Sequence, residues 1–178
     1  MSINFDDVLK ASYLVNQDLI EIATKLMNRT LSIGTFAKKN ASDPDMKTTT
    51  TLYYVINGIV YSLSAAATID VSGLTFYDSS GNELAAVPTQ TAEYDAVYLF
   101  CIKADNTIIV VKGDEVETGE LCVLPDVPAT LRETYVPFGA LKVVNATNAF
   151  TPGTTNTDAS GVTATAYNLS APLPGITF

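Results

Sequence analysis

The most apolar part of the chain is a pair of runs rich in β-branched and aromatic residues. Tyr94-Asp95-Ala96-Val97-Tyr98-Leu99-Phe100-Cys101-Ile102-Lys103 is followed by the polar break Ala104-Asp105-Asn106, then by Thr107-Ile108-Ile109-Val110-Val111-Lys112. Two strand-forming runs around a short polar break predict a hairpin. The runs are too apolar to alternate cleanly, and strands apolar on both faces are usually central and covered on each side. The pattern therefore places this hairpin at the middle of an all-β domain.

Further strands are predicted on both sides of it. Thr48–Ile56 reads as a strand, Asn57-Gly58 as a hairpin turn, and Ile59–Leu63 as the returning strand. Asn-Gly suits a type I′ turn, which needs φ > 0 at both central positions. Strands follow at 67–71 and 74–77, with a turn at Ser79-Ser80-Gly81-Asn82, and residues 87–91 lead into the central hairpin. After Lys112 come the acidic loop of residues 113–120 and the break Pro125-Asp126-Val127-Pro128. Residues 136–144 form a turn into a strand, and residues 161–167 a last strand. Many short strands at close spacing predict a mainly β fold, an antiparallel β-sandwich or barrel spanning residues 48–178. No internal repeat is evident.

The N-terminal pattern differs. Asn4 or Asp6 suits a helix cap, and the periodicity predicts a helix over 5–28. Phe5, Leu19 and Leu26 fall on one heptad position and Val8, Val15 and Ile22 on the other, with Ser12 the polar intrusion. This seam needs a partner, because a lone helix of this length is marginal in water. The candidates are other copies of the chain, its own β domain, or a larger assembly. Gly34 and Asn40-Ala41-Ser42-Asp43-Pro44-Asp45 make residues 30–47 read as linker and turn. The expected organisation is thus an anchoring and oligomerising segment at 1–47 and a β domain at 48–178.

Composition removes several function classes. The chain has 178 residues, a formal net charge of −9 and a pI near 4.3, with Lys38-Lys39 as its basic doublet. Nucleic-acid binding needs a basic footprint, so no nucleic-acid partner is expected. Hydrophobic residues make up 47% and charged residues 16%, a balance that points to surface hidden in an interface. No apolar stretch approaches the ~18–20 residues needed to span a membrane. The acidic start Met1-Ser2-Ile3-Asn4-Phe5-Asp6-Asp7 lacks a signal-peptide core, so synthesis in the cytoplasm is expected. Cys101 and Cys122 form no CxxC pair, and Cys101 reads as a buried free thiol.

Taken together, several stretches resemble virion structural proteins of tailed bacteriophages, of the head-decoration and head-fibre type. They are Tyr54-Val55-Ile56-Asn57-Gly58-Ile59-Val60-Tyr61-Ser62, Val97-Tyr98-Leu99-Phe100, Gly113 and Pro125-Asp126-Val127-Pro128. Val136-Pro137-Phe138-Gly139-Ala140-Leu141-Lys142-Val143 and Phe150-Thr151-Pro152-Gly153-Thr154-Thr155, leading to Gly161-Val162-Thr163, complete the set. The resemblance implies a β-rich, homotrimeric particle subunit, anchored by its N-terminal segment to the major capsid protein or other virion proteins. It carries no catalytic residues.

The search for chemistry agrees with a non-enzymatic reading. The chain has no histidine, which removes Ser-His-Asp and Cys-His catalysis and the commonest zinc ligand. Asp43 and Asp45 alone make no calcium loop. Asp114, Glu115, Glu117 and Glu120 supply carboxylates but read as a solubilising loop, and no phosphate-binding glycine loop is present. No metal, cofactor or membrane partner is expected. Tyr53, Tyr54 and Tyr61 flank the Asn57-Gly58 turn, and alternation puts Tyr53 and Tyr54 on opposite faces. An exposed tyrosine there suits a subunit interface or a sugar. The expected function is a virion structural subunit; the alternative is a tail-associated module binding a receptor or a host-surface glycan.

Overall fold

The computed structural model describes residues 28–32 and 35–169. The predicted N-terminal helix, with Phe5, Val8, Val15, Leu19, Ile22 and Leu26, lies outside the described residues. Within them the protein is mainly β. The strands are β1 (Arg29–Thr30), β2 (Phe36–Lys38), β3 (Met46–Thr48), β4 (Leu52–Ile56), β5 (Ile59–Leu63), β6 (Thr68–Ile69) and β7 (Thr75–Tyr77). They continue with β8 (Tyr94–Ile102), β9 (Ile108–Lys112), β10 (Val116–Glu117), β11 (Val136–Asn145) and β12 (Val162–Asn168). A single turn of 3-10 helix at Val71–Gly73 separates β6 from β7, capped by the Asp70 carboxylate on the Ser72 N–H.

The central hairpin forms as the apolar pattern predicts. β8 pairs β9 antiparallel from Tyr98↔Lys112 to Ile102↔Ile108. Asn106, at φ 65°, closes the loop, and Lys103 and Thr107 hold its ends. These strands sit inside a six-stranded sheet in the order β12-β11-β8-β9-β7, with β10 also on β8. The pairing of β7 with β9 is parallel, so this sheet is mixed rather than wholly antiparallel.

Both faces of the large sheet are covered at its centre, which is why β8 and β9 are apolar almost throughout, whereas the edge strand β12 alternates buried and exposed positions. Ala96, Tyr98, Phe100 and Ile102 face one cluster; Val97, Leu99 and Cys101 face the other. Two small sheets, β1-β4-β5 and β2-β3-β6, cover the first face with Leu52, Tyr54, Ile56, Phe36, Met46 and Ile69. The segment from Cys122 to Tyr135 covers the second, through Cys122, Leu124, Val127, Leu131 and Tyr135.

A bulge at Phe138 makes this covering possible. Pro137 pairs with Cys101 but Gly139 pairs with Phe100, so β11 carries one extra residue. Phe138 and Leu141 therefore both reach the first cluster, although simple alternation would send them to opposite faces. A second extra residue lies between β9 and β10. Lys112 faces Tyr98 and Val116 faces Asp95, which sets three residues against two.

Three expectations need correction. Residues 30–47 are not a linker, since they carry β1, β2 and part of β3, and the Phe36 side chain is 2% exposed in the core. The first domain boundary, at 47/48, therefore cuts through a strand built into the β body. The strand expected over 48–56 is two strands in different sheets, because the chain turns between Thr48 and Leu52. Residues 67–71 hold only the two-residue β6 before the 3-10 turn.

Candidate interaction site

The hairpin of β4 and β5 carries the candidate contact residues. Asn57 and Gly58 have φ of 51° and 78°, the left-handed pair of a type I′ turn. Leu52, Tyr54 and Ile56 point to the core, and Tyr53 and Val55 point outward. Tyr54 leaves the set of surface aromatics, because it is fully buried and stacks on Tyr61 with ring centroids 5.7 Å apart. Its hydroxyl donates to the Lys103 carbonyl at 2.8 Å and pairs with Asn106 Oδ1 at 2.9 Å, tying the small sheet to the central loop. Burial pushes the Tyr54 phenol up to about 12. Tyr61 is half-buried on the core side, and Tyr53 is 48% exposed on the outside.

Tyr53 does not stand alone. Leu31 donates its N–H to the Tyr53 carbonyl at 2.8 Å, which extends the β1-β4 register by one residue. Val55 sits between Arg29 and Val60, and Tyr53 faces Ser62. Leu31, Tyr53, Val55 and Val60 thus share the outer face of one three-stranded sheet. Sequence reading missed Leu31 and Val60, since Leu31 lay in the supposed linker and Val60 in a strand without clear alternation.

The acidic residues are used structurally. Lys39 bridges Asp43 at 3.0 Å and Asp45 at 3.3 Å, and the Asp45 N–H and Lys39 hold the Asp43 carboxyl below the usual range. Glu115 pairs with Lys112 at 2.5 Å and accepts the Thr91 N–H at 3.1 Å. Burial pushes the Glu115 carboxyl up, but these bonds outweigh it and leave it below its ordinary value. Asp114 accepts from Ser79. Ser79, Lys112, Asp114 and Glu115 line an open groove of about 430 Å³ with Asp78, Leu84, Pro88 and Gly113, and no aromatic side chain lines it. No group of three or more potential metal ligands gathers among the described residues.

A buried polar cluster lies at the start of β8. Gln90 is inaccessible, donates to the carbonyls of Tyr94 and Val143, and accepts from the Tyr98 hydroxyl. Asp95 accepts from Thr118 at 2.9 Å and from the Asn145 N–H at 3.3 Å. Asn145 Oδ1 has no hydrogen-bond partner. Cys101 and Cys122 are both free and buried, and burial pushes the Cys101 thiol far up.

No protein-family model matches the chain. Neither a curated protein nor a solved structure matches it. The protein is mainly β, and its candidate site is the outer face of the β1-β4-β5 sheet.

Proposed function

We propose that the protein is a non-enzymatic structural subunit of a tailed-phage virion, a homotrimeric capsid-decoration or head-fibre protein. In this reading it is a mainly antiparallel β-sandwich, with β7 added in parallel to the large sheet, and an N-terminal helical segment fastens it to the major capsid protein or another virion protein. The reading rests on the resemblance of the chain to such subunits. The observation that carries it is the apolar outer face of the β1-β4-β5 sheet, beside the point where residues 1–27 join the β body. A protein that works by contact needs such a face, and large exposed apolar patches mark interaction sites. The carboxylates of Asp43, Asp45 and Glu115 are held by lysines, which also favours a structural role.

Imaging of whole virions with this chain located in the density tests the reading. Val8→Asp should lower incorporation into particles while leaving the β body folded. Full incorporation of that variant, or absence of the chain from virions, refutes it. The exposure of Tyr53 favours a second reading, a tail-associated module in which the ring stacks on a receptor or host-surface glycan. Binding on a glycan array that Tyr53→Ala abolishes would select it.

A further inference from the structure

β5 is the outermost strand of the β1-β4-β5 sheet. Its pairing with β4 is unbroken from Leu52↔Leu63 to Ile56↔Ile59. Tyr53, opposite Ser62, turns its own backbone toward β1. Its N–H donates to Ser32 Oγ at 2.8 Å, and its carbonyl accepts the Leu31 N–H at 2.8 Å. In an antiparallel pair, two residues opposite each other either exchange both backbone bonds or both face away. Ser62, and Val60 two residues before it, therefore aim their N–H and C=O groups out of the open edge. Val60 is 59% exposed and Ile59 58%, and Ser62 is exposed as well.

Natural sheets blunt such edges with charge, proline, bulges or very short strands. The other edges follow that rule among the described residues. β1, β6 and β10 have two residues each, and β2 runs into Lys38-Lys39. The Leu84 N–H on the Phe76 carbonyl covers β7, and the Phe36 N–H of β2 binds Asn168 Oδ1 of β12. β5 has none of these devices. It reads Ile59-Val60-Tyr61-Ser62-Leu63, and no residue from 48 to 69 is charged, in a chain of net charge −9. Arg29 lies on β1, at the opposite side of the sheet. Lys103 and Asp105, in the loop that Tyr54 touches, pair with each other at 3.2 Å.

Two copies of so acidic a chain repel each other over most of their surface, but not here. The edge is also its own complement. An antiparallel pair centred on Tyr61 sets Val60 against Ser62 of the second copy, and Ser62 against Val60 of the second copy. Every N–H and C=O aimed out of the edge by these residues then finds a partner. Ile59 meets Leu63 of the second copy, which covers the exposed tip. We infer that β5 pairs antiparallel with β5 of a second copy, about a twofold axis at Tyr61, joining two three-stranded sheets into one. The pairing runs in the plane of the sheet, so the outer face of Leu31, Tyr53 and Val55 stays open and is doubled. It goes beyond the virion reading: a twofold contact does not close a trimer, so in that reading it joins one trimer to the next.

The test sediments the full chain over a concentration series. Mass should double reversibly, whether the starting unit is one chain or a trimer. Amide exchange at Val60 and Ser62 should slow as the doubled species fills, with residues 97–102 unchanged. Ser62→Pro removes an edge donor from each copy and spares the bonds to β4, so it should weaken doubling at least roughly tenfold while the β body stays folded. Absence of doubling overturns the inference. Doubling that leaves Val60 and Ser62 exchanging as fast as before also overturns it and puts the contact elsewhere, as does equal association of Ser62→Pro. If that variant does not fold, the exchange at Val60 and Ser62 decides. All of these outcomes are read on the purified chain, whereas the virion reading stands or falls on imaging of particles.

Discussion

The Phe36 ring occupies the space that a side chain at position 139 would need. A Cβ on Gly139 would come within 2.6 Å of Phe36 Cδ1 and 2.9 Å of Phe36 Cβ. The ring packs at 4.7 Å from Phe100 and meets Phe138 edge-on at 5.7 Å. The bulge at Phe138 and the glycine after it together open a seat on the large sheet for a residue of a small one.

Gly139→Ala should therefore destabilise the protein by about 1–3 kcal/mol through overpacking. Phe36→Leu should relieve part of that cost, so urea unfolding of the double variant should show a loss smaller than the sum of the singles. Strict additivity would disprove the contact. Gly58→Ala offers a contrast. Nothing lies within 4 Å of a Cβ there, so its cost is the left-handed backbone alone, about 1–2 kcal/mol.

Gln90 is fully buried and hydrogen-bonds three groups. Gln90→Leu keeps the approximate size but strips the partners from the Tyr98 hydroxyl and two carbonyls. Each unsatisfied group costs about 1–3 kcal/mol, so the variant should lose at least about 2 kcal/mol by chemical denaturation. Tyr98→Phe should cost less, since it removes one bond only. An unchanged midpoint for Gln90→Leu would refute the assignment.

Stability should hold from neutral pH down to about 4 and fall below it. Hydrogen bonds hold the carboxyls of Asp43, Asp70, Asp78 and Asp105 below the ordinary value of 3.8. The leading donors are the Asp45 N–H, Ser72, Asn82 and Thr107 respectively. A depressed folded-state pKa means stabilisation that is present above 3.8 and lost as pH falls through the lower folded value. At the alkaline end Tyr54 acts with the opposite sign. Its phenol rises from 10.0 to about 12, so its contribution is complete below 10 and is lost as pH climbs toward 12. Urea midpoints across pH, with tyrosinate absorbance, check both limbs.

The amides of Val97–Ile102 should be among the slowest to exchange, because β8 is paired on both sides and covered on both faces. Cys101 should resist thiol reagents in the native protein and react on denaturation, since burial disfavours its thiolate. Fast native labelling at Cys101 would contradict the packing of Leu99, Ile109 and Ala140 around it.

Local chemistry was enough for some of this architecture. Asn57-Gly58 wrote its own turn, because few dipeptides accept two positive φ values. The doubly apolar runs at 94–102 and 107–112 announced a central hairpin, since only a sheet covered on both faces tolerates them. Alternation separated Tyr53 from Tyr54, although which of them faced the core was a tertiary matter. The rest depended on partners distant in sequence. Phe36 sits among turn-forming residues and reads as linker; its burial exists only because Gly139, more than a hundred positions later, leaves it room. Thr48 and Leu52 read as one strand, yet they join different sheets, and nothing local distinguishes pairing with β6 from pairing with β5. The outer face of Leu31, Tyr53, Val55 and Val60 is likewise a product of register. A pattern along the chain reports which residues need burial, whereas the pairing of strands decides which of them receive it.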